Sequence, residues 1–247
     1  MKINKLSIVL NKIFNKHGLN KLHSKICSNA LINAELVGAQ SHGLSRVKMY
    51  CERIKRKLIN PQPKIKLKKI SNSITHIDGD NSIGFVVADI GIKKVIKNAK
   101  KTGIGIVGIK NSGHYGLSGY YAAQAVKKNL ICMIYTSAPP AVAPHGASKS
   151  LFGTNPICFG SPTGSNVPFI LDTSISKINR GKIRLASRNN KRLPKGVALD
   201  KFGNPTIDAK KALKGVQLPI GDFRGSGLAW MVDIISGVWT GANHAGK

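Results

Sequence analysis

From Ile74 to Tyr135 the sequence switches repeatedly between two hydrophobic periods, which limits the chain to folds that pack strands and helices in layers. Ile74 to Ile77 is a short strand candidate closed by Asp78-Gly79-Asp80, and Phe85 to Lys100 has the spacing of an amphipathic helix. Ile104 to Ile109 is a β-branched run suited to a buried strand. Leu117 to Lys128 returns to helical pattern, and Leu130 to Tyr135 is another apolar strand. Shorter strands are expected at Ile157 to Phe159 and Phe169 to Leu171, after loops marked by Pro139-Pro140 and Gly153-Thr154-Asn155-Pro156. An α/β class follows.

A helical layer precedes this region. Leu6, Val9, Leu10, Ile13 and Phe14 repeat at helical spacing, with His17-Gly18 as the stop. Asn20 is placed to cap a second helix through Val37, with Leu22, Ile26, Ala30 and Ala34 on one face. A third helix is expected from Ser41 to about Leu58, closed by Asn60-Pro61-Gln62-Pro63. The resulting division is a helical region at 1–70, a mixed α/β region at 71–225 and the start of a further helical region at 226–247.

The 247 residues suffice for one large domain or two small ones. Their formal charge of +29, from 39 Lys and Arg against 10 Asp and Glu, raises nucleic-acid binding at once. The lysines are nonetheless spread through every segment, with one denser run at Lys64, Lys66, Lys68 and Lys69, and no zinc finger, RNP motif or Arg/Gly tract accompanies them. Nonspecific attraction to anions is the expectation, without a specific nucleic-acid partner. Cys27, Cys51, Cys132 and Cys158 are too widely spaced for a zinc site and read as reduced, mostly buried thiols. No stretch approaches ~18 uncharged apolar residues, so a cytoplasmic protein without a membrane span is expected.

Three motifs bear on chemistry. Gly103-Ile104-Gly105-Ile106-Val107-Gly108 spells the dinucleotide fingerprint, but its glycines interrupt a strand instead of following one, and no Asp or Glu occurs between Asp89 and Asp172. It is therefore rejected as a Rossmann signature. In Ser41-His42-Gly43-Leu44-Ser45-Arg46, an imidazole and a guanidinium stand four residues apart and would share a helix face. Such a pair suits a small 2-hydroxy or 2-keto acid: the histidine exchanges a proton while the arginine grips the carboxylate. His114 lies in a glycine-flanked turn just before a helix, where a helix N-terminus would hold its ring neutral. The histidines show no metal-like spacing with carboxylates, and no metal is expected.

Taken in order, these segments resemble one family. Ser41-His42-Gly43 with Arg46, Asn111-Ser112-Gly113-His114-Tyr115-Gly116, Gly153-Thr154-Asn155-Pro156, Asp172 to Ser176, Arg180-Gly181-Lys182-Ile183, Ala198-Leu199-Asp200 with Gly203-Asn204-Pro205-Thr206, and Gly221 to Leu228 carry the likeness. They are similar to the malate/L-lactate dehydrogenases that are unrelated to ordinary Rossmann dehydrogenases. The resemblance implies a mixed sheet that binds NAD or NADP without the glycine fingerprint, a small carboxylate substrate and a homodimer. His42 and His114 match the family's active-site histidines and Arg46 its carboxylate-facing arginine. His114 is favoured as acid/base with His42 orienting it or sharing the proton, and the reverse assignment also fits. Ser137, Asp172, Thr173, Ser174 and Lys182 match cofactor-side positions. Arg224 stands where the family's Gly-Tyr-Lys-Gly motif has lysine. The resemblance also implies a missing C-terminal segment, which keeps open an inactive remnant or a basic anion-binding protein as the alternative.

Overall fold

A computed structural model describes residues 3–245. The chain forms two compact units, one of residues 1–133 and 159–171, the other of residues 134–158 and 172–247. The class is mixed α/β, as the alternating periods require.

The first unit opens with helices α1 (Ile3–Lys16) and α2 (Lys21–Leu36). The Asn20 side chain caps α2 by accepting the N–H of His23. Helix α2 buries Ala30 and Ala34 of the expected face, with Ile26 partly buried against the same core, and adds Cys27 and Leu31, but Leu22 is 64% exposed. The cause is polar. Ser24 and Ser28 donate to the side chains of Asn15 and Asn11 on α1 at 2.6 and 2.8 Å, and these bonds set the rotation of α2. Leu10, Phe14, Leu31, Tyr50, Ile54, Ile83 and Phe85 form one core with them.

No single helix runs from Ser41 to Leu58. One 3-10 turn at Gln40–His42 and another at Leu44–Arg46 precede α3 (Val47–Lys55). Gly43, at φ −97° and ψ −137°, breaks the spiral between the turns.

Strand β1 (Lys66–Lys69) pairs antiparallel with β2 (Ile74–Ser82), and β2 pairs parallel with β3 (Ile106–Ser112). Helix α4 (Gly84–Thr102) makes the crossover that a parallel pair needs. Gly103, with φ +81°, ends α4, and Gly108 lies within β3. No helix follows these glycines, so the rejection of a Rossmann fingerprint holds. Strand β3 runs three residues beyond the expected Ile109 and delivers the chain to Gly113-His114, ahead of α5 (Ser118–Val126). Strands β4 (Cys132–Tyr135), β5 (Ile157–Ser161) and β6 (Phe169–Thr173) make a second three-stranded sheet in that order.

The second unit holds α6 (Arg180–Arg188), the strand pair β7 (Ala198–Leu199) and β8 (Val216–Gln217), and α7 (Ala209–Lys214). Ile183, Leu193, Ala198 and Ala212 form the core beneath α6 and α7. Helix α8 (Phe223–Asp233) continues into a π-helical turn at Ile234–Val238. The four cysteines are buried and form no disulfide. Among the described residues no helix is long and apolar enough to cross a membrane.

Candidate active site

The first unit brings His42, Arg46 and His114 together around Tyr50. The imidazoles of His42 and His114 are stacked, with ring centroids 5.8 Å apart and planes 16° from parallel. Arg46 donates from Nε to the Ser41 carbonyl at 2.6 Å, which fixes the stem of its guanidinium. Its two terminal nitrogens have no partner among the described residues and form an open fork of donors.

The local backbone explains how two 3-10 turns achieve this. Glu35, on the last turn of α2, accepts the N–H of Leu44 at 2.7 Å. A Cβ at Gly43 would lie 2.2 Å from Glu35 Oε1, so any other residue there would push the carboxylate from its present position beside that amide. The break replaces the shared helix face expected for His42 and Arg46, yet both side chains still converge on His114.

His114 is held from two sides. Its Nδ1 is 2.6 Å from the Tyr50 hydroxyl and accepts the N–H of Gly116 at 3.2 Å. Gly116 has φ +84°, and a Cβ there would lie 2.6 Å from the Phe85 ring. Tyr50 in turn packs against Phe85, with centroids 4.9 Å apart. Burial, and after it the positive charges of His42, Arg46 and Arg53, pushes the His114 ring down to about 4. The ring is thus neutral near pH 7, as the sequence suggested, but for another reason: α5 begins only at Ser118, and desolvation does the work. Burial also raises the Tyr50 phenol, which keeps its proton.

Tyr50 and Glu35 were not among the residues singled out from the sequence. Tyr50 follows Arg46 by four positions, the spacing of neighbours on one helical face, and that was its signal. Glu35 gave none, since a single acid at the end of an amphipathic helix reads as solvated surface.

The other candidates lie in the second unit. Ser137 belongs to a loop held by Asn155, whose side chain accepts the N–H of Ala138 at 3.1 Å and donates to the Ala229 carbonyl at 3.3 Å. Gly153 packs so closely there that a Cβ would meet the Ala138 oxygen at 2.1 Å. Asp172 and Thr173 end β6, and Ser174 shares a 3.1 Å hydrogen bond with Ser176. Hydrogen bonds from Ile175 N to Thr154 O and from Ile220 N to Ile175 O tie this turn to the 153–155 loop and to the approach to α8. Arg224, exposed on the first turn of α8, covers the Phe223 ring. Lys182, also exposed, stands on the first turn of α6, where the Asn179 side chain caps its N–H at 2.8 Å. Bonds thus link the loops of Ser137, Thr173–Ser174 and Arg224, while Lys182 stands apart on its own helix. Among the described residues, no group of three His, Cys, Asp or Glu side chains could hold a metal ion.

A family model described as malate/L-lactate dehydrogenase matches residues 1–247. The malate/(S)-sulfolactate dehydrogenase of Methanothermus fervidus is 40% identical over 237 residues, covering 96% of this chain and 69% of the relative. A (2R)-3-sulfolactate dehydrogenase (NADP(+)) from Chromohalobacter salexigens is 33% identical over 92% of this chain and 68% of its own length. The solved sulfolactate dehydrogenase of Methanocaldococcus jannaschii superposes with a TM-score of 0.93 at 36% identity, over 99% of this chain and 71% of that one. The chain spans about two thirds of the length of the curated relatives that it matches.

Proposed function

Because the chain belongs to the malate/L-lactate dehydrogenase family, we propose that it serves an NAD- or NADP-dependent oxidoreductase acting on a small 2-hydroxy or 2-keto acid. The observation that carries this reading is the meeting of His42, Arg46 and His114, with His114 bonded to a tyrosine 64 positions away in sequence. The open fork of Arg46 suits a planar carboxylate, which it would grip through two parallel hydrogen bonds. That grip places the neighbouring C2 oxygen before the histidine pair, which handles the proton.

The second unit offers a donor set that fits a dinucleotide. The hydroxyls of Ser137, Thr173 and Ser174 sit on loops fixed by main-chain hydrogen bonds, and Lys182 and Arg224 expose cations suited to phosphate. Bound nicotinamide supplies the hydride to C2 of the acid or takes it away. The chain's own part is to orient the carboxylate, hold the loops and move a proton. A basic anion-binding remnant would leave the hydrogen-bonded His114–Tyr50 pair without a use.

We extend the reading to region 1–70 as the substrate side, 71–225 as the cofactor-binding region, a homodimer in solution and residence in the cytoplasm. Fluorescence titration of the folded protein with NADH and with NADPH tests the cofactor directly. Saturable binding of either is expected, and binding of neither would overturn the proposal. Light scattering on a sizing column reads the dimer.

A further inference from the structure

We propose that Tyr50 is a positioning residue that fixes His114 as a neutral hydrogen-bond donor through Nε2, so that the proton exchanged during the reaction passes through His42. This rests on the dehydrogenase reading above and assigns the two histidines different tasks within it.

The first step is the choice of tautomer. A main-chain amide can only donate, so Nδ1 of His114, which receives the N–H of Gly116, is an acceptor. The hydroxyl of Tyr50 is 2.6 Å from the same nitrogen and is buried, with 1% of the residue exposed. Burial disfavours the phenolate, so Tyr50 keeps its proton and donates it to Nδ1. With both donors on Nδ1, the single proton of the neutral ring resides on Nε2.

The second step is what such a ring can do. A second proton on Nδ1 would expel the Gly116 amide, force Tyr50 to turn its hydroxyl away and place a cation beside His42, Arg46 and Arg53. Phe85, packed against Tyr50, offers no compensating charge. Release of the Nε2 proton would leave an imidazolate. The ring therefore neither gains nor loses a proton easily. It serves as a fixed donor aimed at the oxygen on C2, where negative charge grows as a keto acid is reduced.

That leaves the proton itself. His42 is stacked on His114 at 5.8 Å and is half-buried, with its Nδ1 3.0 Å from the hydroxyl of exposed Ser41. During reduction the C2 oxygen, left with the former carbonyl π pair, takes the proton of the His42 imidazolium, which becomes neutral and is recharged from solvent. Oxidation runs the same transfer backwards: the hydroxyl proton passes to neutral His42.

The test is long-range 1H–15N correlation NMR on the protein labelled with 15N-histidine, with the His114 signals assigned by their loss in His114→Asn. The expected pattern at neutral pH is protonated Nε2 and unprotonated Nδ1. In Tyr50→Phe the pattern becomes a mixture of tautomers, kcat for keto-acid reduction falls on the order of 10-fold or more, and KM stays within about 3-fold. The alkaline limb of the pH–rate profile for keto-acid reduction, where His42 loses the proton that it must donate, survives in Tyr50→Phe and disappears in His42→Gln. Protonated Nδ1 in the unmodified protein would overturn the proposal, whether or not Tyr50→Phe folds. Retention of that limb in His42→Gln would overturn the proton route. A protein with Nε2 protonated that turns over no keto acid would refute the dehydrogenase reading and the proton route with it, while supporting the lock on the ring.

Discussion

The Glu35 carboxylate accepts the main-chain N–H of Leu44 at 2.7 Å, beside a Gly43 whose Cβ, if it had one, would lie 2.2 Å from Oε1. One acid on α2 thereby shapes the turn between the two residues expected to meet the substrate. Glu35→Ala leaves that amide unsatisfied and costs roughly 1–3 kcal/mol. The expected outcome is a lower Tm and a KM for the acid substrate that rises more than kcat falls, because the Arg46 fork loses its register. Glu35→Gln keeps an acceptor and recovers most of both losses. Calorimetry and steady-state kinetics on the two variants check this.

His114 links stability to pH. Its ring is near 6.5 when unfolded and down to about 4 when folded, so between these values the unfolded chain binds more protons. Stability therefore rises with pH across that window and is lost on acidification from about 6.5 towards 4, by an amount that solvent screening keeps small because the residue is partly open to water. Below about 4 this contribution changes no further. His114→Asn should flatten that part of a Tm-against-pH curve, and an unchanged slope would show that His114 is not the group held neutral in the fold.

Arg46 has a test in its geometry. Lysine retains the charge but replaces a fork by a point, and it also loses the Nε bond to the Ser41 carbonyl. Arg46→Lys is expected to lower kcat/KM by roughly 10–100-fold, the cost of about 1.5–3 kcal/mol for a charge-assisted hydrogen bond. Cofactor binding, read by fluorescence, should stay unchanged, because Arg46 is assigned to the carboxylate.

Gly116 combines φ +84° with a Phe85 ring that a Cβ would approach to 2.6 Å. Gly116→Ala is expected to cost roughly 1–3 kcal/mol in backbone strain and contact. It would also turn the Gly116 amide away from Nδ1, so the His114 tautomer should shift together with Tm.

Much of this was legible from hydrophobic period alone. Helix α4 and strand β3 lie within a few residues of their expected bounds because their apolar side chains enter a core at the spacing each element demands. On α2 the period placed Ile26, Ala30 and Ala34 correctly and misled only at Leu22, which stays outside while Ser24 and Ser28 turn inward to asparagines of α1. It was silent on β1, a run of exposed lysine and leucine that is a strand only because β2 pairs with it. His42, Arg46 and His114 were readable because their residue types carry chemistry wherever they stand. Tyr50 and Glu35 were not, since one resembles a core aromatic and the other a surface acid until the fold shows what each touches.

The most direct measurement follows the absorbance of reduced nicotinamide when the purified protein, NADH or NADPH, and a panel of small 2-keto acids are mixed. The expected result is cofactor oxidation that depends on one or more keto acids, is lost in Arg46→Ala and falls to a slow residual rate in His42→Gln. A folded protein that binds reduced nicotinamide yet oxidises it with no 2-keto acid, or whose turnover survives both substitutions, would contradict a dehydrogenase site built on His42, Arg46 and His114.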